Sequence, residues 1–232
     1  MASKSSSGRE KSKTHKLAIK GSSKIVAEFF EYGINTILYQ RGVYPAEDFM
    51  AVKKYNLNML VASDDQVKAY IKKIMSQLNK WMVGGKINKL VVVITDKETG
   101  EHVERWQFDV QILGGGKSSK SRAAKSSTGD KENTAPESAS ADAASQEKTL
   151  QEIQAEIQHL FRQITASVTF LPMLTNPCTF NVLVYADADS EVPVEWGDSD
   201  AKEIINGEKV QLRSFSTSNH RVDAVVSYRF GD

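Results

Sequence analysis

The chain has a single cysteine, Cys178, so no internal disulfide framework is available, and such sparse thiol usage fits a reducing compartment. It also lacks any apolar run near the roughly 20 residues that span a bilayer. The first residues are hydrophilic, so no secretory signal is expected and the expected setting is cytosol or nucleus. Net charge is scarce as well: +1 at pH 7. No global field therefore calls for nucleic acid or a membrane surface.

Chemistry-bearing motifs are equally thin. The four histidines, His15, His102, His159 and His220, fall on a tail, a strand, a helix and a turn. No two have metal-ligand spacing, so no zinc site is expected. No glycine-rich phosphate loop follows a strand, and there is no G-x-S-x-G elbow. A Ser-His-Asp set can be assembled on paper from a serine, His220 and Asp223, but nothing local positions it. Asp198, Asp200 and Glu203 read as a solvated acidic loop or as cation ligands, without EF-hand spacing. No cofactor and no enzymatic activity are expected.

Apolar residues are missing from two stretches. Residues 1–16 carry Lys4, Arg9, Lys11, Lys13 and Lys16 against Glu10 alone, with no large apolar residue beyond Met1. This segment cannot offset the entropy of folding, so residues 1–18 are expected to be a disordered basic tail, either simply solvated or used for nuclear import or anion binding. Residues 114–147 contain no Val, Ile, Leu, Met or aromatic side chain and are expected to be a disordered insertion. The flanks are each small for a core, so residues 19–232 are expected to form one domain interrupted by that loop. Inside it, Lys131-Glu132-Asn133 followed by Pro136 resembles a KEN-type degron, although a tripeptide in a spacer also arises by chance.

The patterned sequence predicts three helices and an antiparallel sheet, an α+β domain. Val26, Phe29, Phe30, Ile34, Ile37 and Leu38 recur at helical spacing in a helix capped by Ser22 or Ser23 and ending at Gly42. Gly33 costs that helix about 1 kcal/mol against Ala, which implies close approach of a neighbour as compensation. A second helix is expected from near Asp64 to Met82, with Val67, Tyr70, Ile71, Ile74, Met75, Leu78, Trp81 and Met82 as its core stripe. "INKLVVVITDKETGEHVERWQFDVQIL" reads as a β-hairpin, with Trp106, Phe108 and Val110 buried and Arg105, Gln107 and Asp109 facing water. Thr149-x-x-Glu152 is a capping box opening a third helix. Its stripe is Leu150, Ile153, Ile157, Leu160, Phe161, Ile164 and Val168, and Pro172 stops it.

"CTFNVLVYA" is a strand with Phe180, Val182 and Val184 on one face. A long acidic loop holding Trp196 follows, and the chain closes with two strands around residues 216–219. On the third helix Arg162 lies opposite the apolar stripe, over Thr165, Ala166 and Thr169 and near Phe170. That is either an ordinary exposed arginine or the composition of an interface hot spot.

The stretches "KIVAEFF", "GINTILYQRGVYP", "KLVVVI", "ERWQFDV", "FRQITASVTFLP" and "LRSFSTS" together resemble the HORMA domain family, most closely its spindle-checkpoint branch. The sequence departs from the family pattern in the insertion, the basic tail and the residues after Tyr228. The resemblance implies three helices packed on a mainly antiparallel sheet, with a mobile C-terminal safety belt, roughly residues 207–230, and two native conformers. In the open form the belt pairs beside residues 179–185; in the closed form it crosses to the edge of residues 103–112, and the vacated edge takes an extended peptide.

Trp81, Phe180, Val182, Val184 and Tyr185 are the implied peptide-binding residues. Ile19, Trp106, Phe215, Val225 and Tyr228 are the implied switch, and Arg162, Gln163, Phe170 and Arg213 the implied interface between an open and a closed copy. The implied partners are the kinetochore-bound mitotic arrest deficient one protein, the cell division cycle twenty activator, the mitotic checkpoint complex, and an AAA+ remodelling ATPase with its HORMA adaptor. Nucleus, kinetochore and cytoplasm are the implied locations. The alternative within the family is an adaptor of a translesion polymerase or of a meiotic axis complex.

Overall fold

A computed structural model of the chain describes residues 7–113, 148–194 and 196–229, with side chains from Lys20 onward. Helix α1 (Ser7–Gln40) runs through the centre of the fold. Its Phe29 ring meets Phe108, Phe161 and Phe215 at centroid distances of 5.6, 5.2 and 4.8 Å, so one helix face gathers the sheet, the third helix and the C-terminal strands. The helix ends as expected. Gly42 adopts φ +62° while its N–H reaches Tyr39 O and Val43 N–H reaches Leu38 O, the paired bonds of a left-handed C-terminal cap.

Its beginning differs from expectation. Ser22 and Ser23 are not caps, because helical backbone already runs from Ser7, inside the segment read as a tail. Extending an existing helix avoids the cost of nucleation. Both hydroxyls serve tertiary contacts instead: Ser23 Oγ donates to Met82 O at 3.1 Å, and Ser22 Oγ lies 2.7 Å from His220 Nδ1. Nor does a neighbour approach Gly33 closely; a Cβ built there meets nothing within 4 Å, and nothing in the structure explains the glycine.

Strands β1 (Phe49–Lys54) and β2 (Leu57–Ala62) form a separate hairpin that the sequence reading missed. Its two-residue turn is Tyr55-Asn56, with φ of 51° and 54°. That is the left-handed pair such a tight hairpin needs, here without glycine. Tyr55 fastens the hairpin by donating to Glu28 Oε1 at 2.8 Å and stacking on Phe161. Helix α2 (Asp65–Val83) starts at the Asp64 cap, whose carboxylate accepts from Gln66 N–H and Val67 N–H. Its apolar stripe is buried except for Tyr70, which is 43% exposed.

Helix α3 (Leu150–Ala166) opens on the expected Thr149–Glu152 capping box. Leu150 and Val168, at the two ends of its predicted stripe, are exposed. Ser167 turns the chain into a short 3-10 segment before Pro172 is reached.

The main sheet is antiparallel along the order β5 (Cys178–Ala186), β3 (Ile87–Asp96), β4 (His102–Ile112), β8 (His220–Tyr228), β6 (Glu208–Gln211), with β7 (Phe215–Ser216) beside β8. β8 pairs with β4 in register from Glu104↔Tyr228 to Ile112↔His220. This is the strand pairing implied for the closed arrangement. Trp106, Phe108 and Val110 are buried on the helix side as predicted. The opposite face is wet only in part: Gln107 and Asp109 are half-buried, whereas Val91, Val93 and Arg105 are buried, with Ala201 and Glu203 of the loop of residues 187–207 lying on Arg105.

Candidate functional site

β5 ends the sheet among the described residues, with β3 on one side and no strand on the other. An end strand leaves a row of backbone donors and acceptors available for another chain. Residues 187–207 arch over that edge. The outgoing leg is tied to the end of α2 and the start of β3. Lys86 Nζ reaches Asp189 Oδ2 at 2.6 Å, holding that carboxyl below the usual range. Trp81 Nε1 donates to Glu191 O at 3.0 Å, and Trp196 packs edge-on against Trp81 at 5.1 Å. The returning leg meets Arg105 on β4, then joins β6. Between arch and strand lie cavities of about 350 and 310 Å³ that share Val182, Leu183, Trp196, Gly197 and Ser199.

The implied peptide-binding residues divide by their placement. Val182, Val184 and Tyr185 line the first cavity, as does Trp81 at its back. Phe180 does not; its ring is buried against Tyr70 at 5.5 Å and Tyr44 at 6.1 Å, so it holds β5 to α2 and to the turn after α1. Leu183 and Trp196 belong to the groove and were not singled out in advance. Alternation along β5 marks Leu183 as the opposite face, but only the arch makes that face a wall. Lys89 also contributes, with its ammonium 4.9 Å over the Tyr185 ring. Of the acidic residues, Asp198 and Asp200 line the groove, and Glu203 faces Arg105.

The implied interface residues lie on and around α3 but have different surroundings. Arg162 is exposed and borders a cavity of about 330 Å³ with Tyr39, Leu57, Met59 and Ala166. Gln163 instead turns towards the C-terminal strands, where its Oε1 accepts from Arg213 N–H at 2.6 Å. Phe170 is 37% exposed and sits 6.0 Å from Tyr228. Arg213 is exposed and lines a neighbouring cavity with Glu156 and His159.

Among the implied switch residues Trp106, Phe215 and Tyr228 are buried core, and Val225 is half-buried on β8. Ile19 lies on α1, with its side chain outside the described residues, as are Lys131, Glu132 and Asn133.

Two buried polar clusters bind the C-terminal strands and the sheet to α1. Thr217 Oγ1 contacts Ser22 Oγ and receives His220 N–H at 2.9 Å, so the β7–β8 turn is stitched to the helix. Burial pushes the His220 pKa down, favouring the neutral ring. At the other end Arg41 and Glu104 form an ion pair at 2.5 Å, with side chains 6% and 1% exposed. Burial pushes the Glu104 carboxyl up, against the opposing pull of Arg41 and of Trp106 Nε1, which donates to it at 3.1 Å.

With this geometry in hand, the relatives are informative. The HORMA domain profile matches residues 22–220. The chain is 54% identical over 212 residues to the mitotic spindle checkpoint component mad2 of Schizosaccharomyces pombe, covering 91% of this chain and 94% of that protein. It is 42% identical over 213 residues to the mitotic spindle assembly checkpoint protein MAD2A of Homo sapiens, covering 92% and 93%. A chain in the crystal structure of the mitotic checkpoint complex, 52% identical, superposes with a TM-score of 0.74 over 90% of this chain and 99% of that one. C. elegans HTP-2, solved with a HIM-3 closure motif, shares the fold with a TM-score of 0.63 at 13% identity, covering 90% of each chain. The protein belongs to the HORMA domain family, in its branch of MAD2 mitotic spindle checkpoint proteins, which are adaptors rather than enzymes.

Proposed function

We propose that this checkpoint adaptor captures an extended peptide as an added strand on β5, beneath the arch of residues 187–207. The observation that carries the reading is the unpaired β5 edge with cavities on the inner side of the arch. Main-chain bonds to β5 supply affinity, and the side-chain wall of Val182, Leu183, Val184 and Trp196 supplies selectivity. The ligands are segments of the mitotic arrest deficient one protein and of the cell division cycle twenty activator, and capture of the activator delays anaphase.

The chain has two native folds, and β8 paired with β4 is the closed one. The open form places the C-terminal strands on β5 and so blocks the peptide edge. Open and closed copies pair through Arg162, Phe170 and Arg213, while Gln163, beside them, holds the C-terminal strands. Assembly into the mitotic checkpoint complex and turnover by an AAA+ ATPase with its HORMA adaptor complete the cycle, in nucleus, kinetochore and cytoplasm.

Fluorescence anisotropy with labelled synthetic peptides from the two ligands, and from a translesion polymerase and a meiotic axis protein as rivals, tests the assignment. Saturable binding of the checkpoint peptides is expected. Binding confined to the rival peptides overturns it.

A further inference from the structure

The arch over β5 is held at its two feet by different means. The outgoing foot uses an exposed ion pair, the Trp81 Nε1–Glu191 O hydrogen bond and an aromatic contact at its rim. The returning foot rests on one buried guanidinium. Arg105 is 2% exposed on the outer face of β4. Its Nε donates to Ala201 O at 3.1 Å and its Nη1 to Gln107 Oε1 at 2.6 Å. Its Nη2 makes no hydrogen bond and faces the Glu203 carboxylate at 3.4 Å.

We infer that Arg105 is the latch that fixes the returning leg of the arch in its shut register, and so sets how long a peptide on β5 stays bound. This rests on the peptide-capture reading. A guanidinium stays charged, and its burial is tolerable only with good partners. When the arch lifts, water reaches the outer face of β4 and solvates Arg105. When it shuts, Ala201 O and the Glu203 carboxylate must replace that water, and they do so at one register only.

The backbone is shaped for this. Lys202, between the two partners, has φ +46°, a left-handed conformation uncommon for a residue with a side chain. Ile204 follows as a buried anchor. The latch also continues towards the groove. Gln107 Nε2 donates to Asp109 Oδ2 at 2.8 Å, Asp109 faces Lys89 at 3.7 Å, and Lys89 lies over Tyr185. Arg105 is thus a positioning residue, acting on a peptide through the arch.

The test uses the full chain in two measurements. One is hydrogen–deuterium exchange across residues 199–206 without peptide. The other is dissociation of a fluorescein-labelled synthetic peptide of the mitotic arrest deficient one protein. Arg105→Lys keeps the charge but loses the fork, so release is expected to speed up by about tenfold or more. Glu203→Ala, at an exposed position, removes the charge facing Arg105 Nη2 while the Ala201 and Gln107 bonds remain, and is expected to speed release by roughly two- to fivefold.

Association should not slow in either variant, because the latch is shut without peptide and must open before one reaches β5. Exchange in the arch should rise while β3 and β4 stay protected. In an Arg105→Met background the further change Glu203→Ala should have no effect, since the pair is already gone. Unchanged arch exchange in folded Arg105→Lys and Glu203→Ala proteins overturns the latch, and so does an undiminished Glu203→Ala effect in the Arg105→Met background. Failure of the unaltered protein to bind the peptide counts against the capture reading, and the exchange measurement still decides the latch.

Discussion

Gln163 Oε1 accepts the Arg213 backbone N–H at 2.6 Å, so the residue beside exposed Arg162 is committed to holding the C-terminal strands. Adjacent positions on α3 therefore do separate work. Arg162→Glu is expected to abolish self-association on size exclusion without changing peptide binding. Gln163→Ala removes one exposed hydrogen bond and is expected to cost about 0.5–1 kcal/mol in urea unfolding. Equal loss of self-association and of stability in both variants would show that the two side chains share one role.

Arg41 and Glu104 are both buried, and Arg41 also donates to Pro172 O. Removing one partner leaves an uncompensated buried charge. Arg41→Met should therefore destabilise the fold by about 3–5 kcal/mol in urea titrations. The double variant Arg41→Met/Glu104→Met should recover part of that loss. A double variant as unstable as the sum of the singles would place the cost in packing rather than charge.

His220 gives a pH dependence with a definite sign. Burial lowers its folded pKa below the unfolded value of about 6.5, so the unfolded chain binds more protons in the window between them. The stability it contributes is present above that unfolded value and is lost as pH falls through the window. The group hydrogen-bonded to the ring is the Ser22 hydroxyl, which carries no charge to offset protonation. Between pH 7.5 and 5.5 the unaltered protein should lose more stability than His220→Gln. Parallel pH profiles for the two proteins would remove His220 from this role.

Local rules made much of the fold legible. Thr149 is a cap whose partner lies three residues on, and it was read as one; the second helix was expected to begin near Asp64, which caps it. The alternation in β5 gave its limits, Cys178–Ala186. Where tertiary contacts decide, the same residue types misled. Ser22 and Ser23 look like caps, yet their hydroxyls bond His220 and Met82, far away in the chain. Arg105 looks solvent-facing like Gln107 and Asp109, yet it is buried, because the arch that covers it brings its own polar partners. The β1–β2 hairpin escaped notice because Tyr55-Asn56 makes a left-handed turn without glycine and Lys53-Lys54 interrupts the apolar signal. The unpaired β5 edge was implied by the family resemblance and not by composition, since an unpaired strand edge is a property of topology.

The central claim, strand addition to β5, is tested most directly by amide exchange of residues 178–186 measured by NMR with and without a saturating synthetic peptide of the mitotic arrest deficient one protein. The account predicts new protection along β5, together with contacts between peptide amides and the β5 backbone. Saturation of the peptide with β5 exchange unchanged, or protection confined to α3, would contradict it.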